Sequence, residues 1–101
     1  MYVRNMWYLA AWSEEITRLP LQRWLLGEPV VFYRDEAGAV VALHDLCPHR
    51  LVPLSKGEVV GNDIRCAYHG AVFSREGVCL KVPGVPANVR PPGVRRFAVQ
   101  E

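Results

Sequence analysis

Cys47, His49, Cys66 and His69 fall in two short pairs, Cys47-Pro-His49 and Cys66-Ala-Tyr-His69, with sixteen residues between them. A cysteine and a histidine this close share one tight loop and offer a thiolate and an imidazole to the same neighbourhood. Two such loops supply two sulfur and two nitrogen ligands. That inventory suits a binuclear iron–sulfur centre with asymmetric ligation, whose potential lies above that of all-cysteine clusters. Histidine ligation also leaves the outer ring nitrogens available, so that electron and proton uptake can be coupled. The spacing C-x-H-(x16)-C-x2-H therefore implies an electron-transfer site.

Other chemistries fit less well. A mononuclear zinc site can use the same four ligands, but its usual spacing pairs Cys with Cys and His with His. A cysteine nucleophile needs one Cys and one His, which leaves the second pair unexplained. His44, three residues before Cys47, reads as a strand-end histidine outside the ligand set. Cys79, in Val78-Cys79-Leu80, reads as a buried inert thiol. Pro48 restricts the backbone between the first two ligands. Gly70, directly after His69, allows the backbone to come close to a cluster.

The elements that must position these loops read as short strands joined by turns. Met6 to Trp12 is apolar and aromatic, as in a buried strand, and Ser13-Glu14-Glu15 resembles a capped helical turn. Residues 30–34 and 39–43 are strands flanking the turn Asp35 to Gly38. Residues 58–60 and 63–65 form a second hairpin across Gly61-Asn62, which delivers Cys66. A third joins residues 71–74 to 78–81 through Arg75-Glu76-Gly77. Four prolines between residues 82 and 93 predict an extended connector. Val94 to Gln100 alternates again and reads as a strand with no evident partner.

The 101 residues are enough for one domain only. Chains of this size bury only about 60–65% of their unfolded surface, so a cofactor that crosslinks two loops adds stability. A net charge of +2 is too small to argue for nucleic acid or a membrane surface. No apolar run approaches the about 20 residues of a membrane helix. Three cysteines are too few for a disulfide framework, and a reducing cytoplasm is the natural compartment.

With the loops read, the chain resembles the N-terminal Rieske domain of the oxygenase subunit in aromatic-ring-hydroxylating, or Rieske non-haem iron, oxygenases. The likeness lies in Asn5-Met-Trp-Tyr-Leu-Ala-Ala11, Gly27-Glu-Pro-Val-Val31, residues 42–54 with the Cys-Pro-His-Arg core, and Cys66-Ala-Tyr-His-Gly70. Within the family it is most similar to the vanillate O-demethylase type. The resemblance implies an all-β Rieske fold, antiparallel hairpins carrying two cluster-binding loops at one end. It implies one [2Fe–2S] cluster, with Cys47 and Cys66 on one iron and His49 and His69 on the other. It further implies electrons from an NAD(P)H-linked flavin reductase or a ferredoxin, delivery to a mononuclear iron in a separate catalytic domain, and a homotrimer.

The only remaining histidine is His44, so the two-histidine, one-carboxylate triad of a mononuclear iron cannot be built here. Residues 1–101 are thus expected to be one Rieske domain with no catalytic residues of its own, the catalytic domain lying outside them. A free-standing Rieske ferredoxin is the alternative. The respiratory type of Rieske protein has an extra cysteine in each ligand loop and hydroxyl side chains soon after the second His-Gly. Here residues 50–53, Ala67 and Tyr68 contain no cysteine, and Ala71 and Phe73 stand where hydroxyls would be. Fewer hydrogen bonds to sulfur predict a potential near the bottom of the about −150 to +300 mV Rieske range.

Overall fold

The computed structural model describes residues 13–48, 52–67, 70–84 and 92–99. Among these there is no α-helix, only strands and two 3-10 turns, Ser13–Glu15 and Leu54–Lys56. Strands β1 (Leu21–Leu25), β2 (Glu28–Arg34) and β3 (Val40–His44) form one antiparallel sheet in the order β1-β2-β3. A second antiparallel sheet runs in the order β4 (Glu58–Val60), β5 (Asp63–Arg65), β6 (Val72–Phe73), β7 (Cys79–Lys81). The all-β, hairpin-built architecture expected from the sequence is what the chain adopts.

Two of the three expected hairpin turns are templated by short polar side chains. Asp35 Oδ1 accepts the backbone N–H groups of Ala37 and Ala39, each at 2.9 Å. Ser74 Oγ accepts those of Glu76 and Val78, at 3.2 and 3.1 Å. Such side chains mimic a backbone turn, which is why they nucleate these bends. The third turn uses Gly61 at φ +62°, a conformation open to glycine without cost and suited to a two-residue hairpin loop.

Strand β2 is buried on both faces, which explains its unbroken apolar run Val30 to Tyr33. Val31 and Tyr33, with Val41 and Leu43 of β3, face the larger core shared with Ile64, Phe73 and Cys79 of the second sheet. Val30, Phe32 and Ala42 face a smaller core closed by Ile16, Leu21, Leu25 and Phe97.

Three turns, 35–38, 61–62 and 74–77, gather at one end of the molecule, here termed the base. Arg75 Nη1 donates to Asp35 Oδ2 at 2.9 Å, and Glu36 N–H donates to Asn62 Oδ1 at 2.9 Å. The buried Tyr33 hydroxyl donates to the Asn62 carbonyl at 2.9 Å, and burial, helped by the nearby Asp63 carboxylate, pushes its proton affinity well above the ordinary phenol value. Burial, the largest single influence on Asp35, pushes its carboxyl up. The Ala39 N–H, the Arg75 guanidinium and the Ala37 N–H together outweigh it and hold the group below its ordinary value.

Two local expectations change. Residues 94–99, the described part of the expected strand 94–100, do not form one: Leu43 and Arg96 make a single antiparallel bridge, with His44 N–H on Arg95 O (2.8 Å) and Phe97 N–H on Ala42 O (2.9 Å). The segment has a partner after all, the free edge of β3. It cannot extend that pairing because Val94 N–H is drawn to Gly77 O, at 2.8 Å, in the other sheet. Second, residues 21–25 form a strand that was not foreseen, joined to β2 by Leu26 and Gly27 at φ +53° and +78°. A leucine in the left-handed region gives no warning of a turn. The strand expected at Met6 to Trp12 lies outside the described residues, as do residues 85–91 of the connector.

Candidate metal centre

Strands β3 and β5 run away from the base and end at the opposite pole, the crown, where each gives way to a ligand loop. Cys47 lies three residues beyond the end of β3, and Cys66 directly follows β5. Each cysteine closes its own loop in the same way. Cys47 N–H donates to Val52 O at 2.8 Å, and Cys66 N–H donates to Ala71 O at 2.7 Å. In both cases the acceptor is five residues on. Both cysteines are buried, 1% and 2% exposed, and both belong to the larger core cluster.

The two loops are also brought together by the backbone. After the 3-10 turn that follows the first loop, Gly57 lies so close to β5 that a β-carbon there would overlap the Arg65 carbonyl oxygen. Only a residue without a side chain permits that approach. The exit of the first loop is thereby held against the strand that delivers Cys66.

His49 and His69 lie outside the described residues, so the structure places the sulfur half of the expected ligand set and not the nitrogen half. Among the described residues no three ligating side chains converge. Donor chemistry on the described half nevertheless fits an iron–sulfur cluster. Two buried thiols belong to one apolar core cluster, each at the root of a closed loop, and low dielectric with little water favours a shielded redox centre.

Cys79 is buried, at the start of β7, as expected. Burial pushes its thiol above the ordinary range; a hydrogen bond with the Lys81 backbone lowers it, and the neighbouring Cys47 raises it further. His44 is the last residue of β3, beside an open groove of about 490 Å³ lined also by Glu28, Leu46, Pro48 and Arg95. Ala71 and Phe73 are buried in the core directly behind the second loop, 3% and 0% exposed. Gly70 has φ +72°, and its nearest prospective contacts are Pro83 Cγ and Arg65 Cδ at 3.7 and 4.0 Å. Its glycine character is thus required by backbone conformation.

A polar group that the sequence reading passed over lies beneath the first loop. Asp45 is fully buried, and its carboxylate accepts three hydrogen bonds: Ser55 N–H at 2.7 Å, Ser55 Oγ–H at 2.6 Å and Gln22 Nε2–H at 2.7 Å. Asp45 N–H in turn donates to Pro29 O at 3.0 Å. The available signal was an acidic residue between the apolar strand 39–43 and Cys47, a place where burial was already implied.

Comparison with known proteins agrees with the geometry. A family model described as Rieske [2Fe–2S] domain matches residues 6–98. The iron-sulfur subunit of the toluene-4-sulfonate monooxygenase system of Comamonas testosteroni is 49% identical over 83% of this chain and 24% of that subunit. The vanillate O-demethylase oxygenase subunit of a Pseudomonas species is 41% identical over 100% of this chain and 28% of its own length. A crystal structure of dicamba monooxygenase with non-haem iron and dicamba superposes with a TM-score of 0.90 and 44% identity, covering 98% of this chain and 31% of that one. The chain thus spans less than a third of each of these relatives.

Proposed function

The chain belongs to the Rieske [2Fe–2S] domain family, and from that premise we propose that it is the electron-transfer domain of an oxygenase acting on an aromatic compound by O-demethylation or hydroxylation. Its cofactor is one Rieske-type [2Fe–2S] cluster, which when bound takes up and releases single electrons. In this reading Cys47 and Cys66 hold one iron, and His49 and His69 hold the other. The observation that carries it is the pair of buried cysteines on two identically closed loops at one pole of the core.

The residues of this chain hold, shield and orient. Leu54, Ile64 and Phe73 exclude water behind the thiols. The Cys47–Val52 and Cys66–Ala71 hydrogen bonds fix where each loop begins and ends. Asp45 is occupied by Ser55 and Gln22, so it is not a ligand. No described helix is long and apolar enough to cross a membrane.

Around this domain we place, as parts of the same proposal, an NAD(P)H-linked flavin reductase or ferredoxin as donor and a mononuclear iron in a separate catalytic domain as acceptor. A homotrimer and a cytoplasmic location complete it. The oxygenase relatives support this arrangement over a free-standing ferredoxin. The test is direct. Anaerobically purified chain is expected to be reddish-brown, with two irons and two acid-labile sulfides per chain. A colourless protein holding one zinc would overturn the reading.

A further inference from the structure

The buried carboxylate beneath the first loop has a shape of its own. The loop is closed twice, concentrically. Cys47 N–H reaches Val52 O on the inside, and the Asp45 carboxylate reaches Ser55 on the outside. Gln22 of β1 adds a third anchor, so one side chain ties the first sheet, the loop entrance and the loop exit together. Burying a carboxylate is costly unless its oxygens are satisfied, and here both are. The Gln22 and Ser55 N–H groups can only donate, which fits an ionised acceptor with no proton of its own. Among the described residues all three donors are neutral, so the charge is solvated by dipoles and not cancelled by a cation.

We propose that Asp45 is a positioning residue of the centre: its buried carboxylate holds the first ligand loop in its cluster-bearing form and lowers the potential of the bound cluster. The inference rests on the reading of Cys47 as a ligand. Two residues span at most about 7 Å of extended chain, so the backbones of Asp45 and Cys47 lie within that distance, and both residues are buried in a low-dielectric interior. Reduction adds one electron, and thus one negative charge, to the cluster. A fixed negative charge at that range opposes the step. A merely structural anchor would stabilise the loop without moving the potential.

The experiment uses the 101-residue chain, loaded with iron and sulfide, and the variants Asp45→Asn and Ser55→Ala. Asparagine keeps the shape and removes the charge; D45N is expected to show a raised midpoint in protein-film voltammetry. S55A keeps the charge and deletes one donor. Its midpoint should match the parent chain, while iron loss to a chelator becomes roughly tenfold faster, as expected when a hydrogen bond to a charged group no longer resists loop opening. A parental midpoint in loaded D45N overturns the proposal, whatever its rate of iron loss. If D45N folds but does not load, S55A decides the loop-holding half: accelerated iron loss supports that half, and a parental rate overturns the proposal. A parent chain without a cluster would overturn the ligand assignment and this inference together. A loaded parent with an unresponsive D45N overturns the inference alone.

Discussion

At the base, three turns are tied to one another by side chains, Asp35 to Arg75 and Glu36 to Asn62, with Tyr33 reaching in from β2. At the crown, the main-chain bonds of Cys47 and Cys66 close each loop on itself. The same hairpins thus end in two different kinds of order. The base is complete as a polypeptide, because its crosslinks are made from its own side chains. The crown closes each loop by its own main chain and sets Gly57 against Arg65, and in the proposed reading the remaining crosslink falls to iron.

The largest test of that contrast is to remove a ligand. Cys47→Ala and Cys66→Ala should each abolish the visible chromophore entirely. Hydrogen exchange should leave the base protected, at Asp35 N–H and Gly38 N–H, while protection at the crown collapses. Equal loss at both ends would mean that the two regions form one cooperative unit. Stripping iron from the parent chain with a chelator should reproduce the same asymmetry.

Next in size is a change confined to the base. Tyr33→Phe deletes the hydrogen bond to Asn62 O and should cost about 1 kcal/mol in urea unfolding, with the cluster midpoint unchanged. A shifted midpoint would show that the base is felt at the crown.

Acid probes the base through Asp35, whose carboxyl is held below its ordinary value of 3.8. A depressed carboxyl contributes stability that is fully present above that value and is lost as pH falls through the lower folded one. Stability should therefore drop as pH falls below about 4. Asp35→Asn should be less stable at neutral pH and show a shallower acid slope. An unchanged slope would remove Asp35 as the source.

The smallest effect is expected at the crown itself. Ala71→Ser places a hydroxyl behind the second loop, where it can donate toward sulfur, and should raise the midpoint by a fraction of the about 450 mV Rieske span. An unaltered midpoint with the cluster intact would mean that the hydroxyl points elsewhere.

The hairpins and the cysteines were legible because their signals are local. Asp35, Ser74 and Gly61 each carry their turn in their own chemistry, and the Cys-x-His spacing marked the two cysteines that the structure buries at the crown. What escaped was held by partners distant in sequence. Strand β1 exists because β2 pairs with it, and Leu26 at positive φ overrides its own preference to make the turn. The segment 94–97 is shared between Ala42, His44 and Gly77, so its alternation did not make a strand. Asp45 looked like an ordinary loop acid because Gln22, twenty-three residues earlier, is invisible from its neighbourhood.

The two matching closures, five residues each, are made of main-chain atoms alone. Any residue other than proline can donate from the cysteine position, and any residue at all can accept from the far side. The placement of the two thiols is therefore insulated from most changes in the residues between. Evolution or an engineer can rewrite residues 48, 50 and 51, or 67 and 68, to suit a new redox partner while the frame that seats the thiols stays the same.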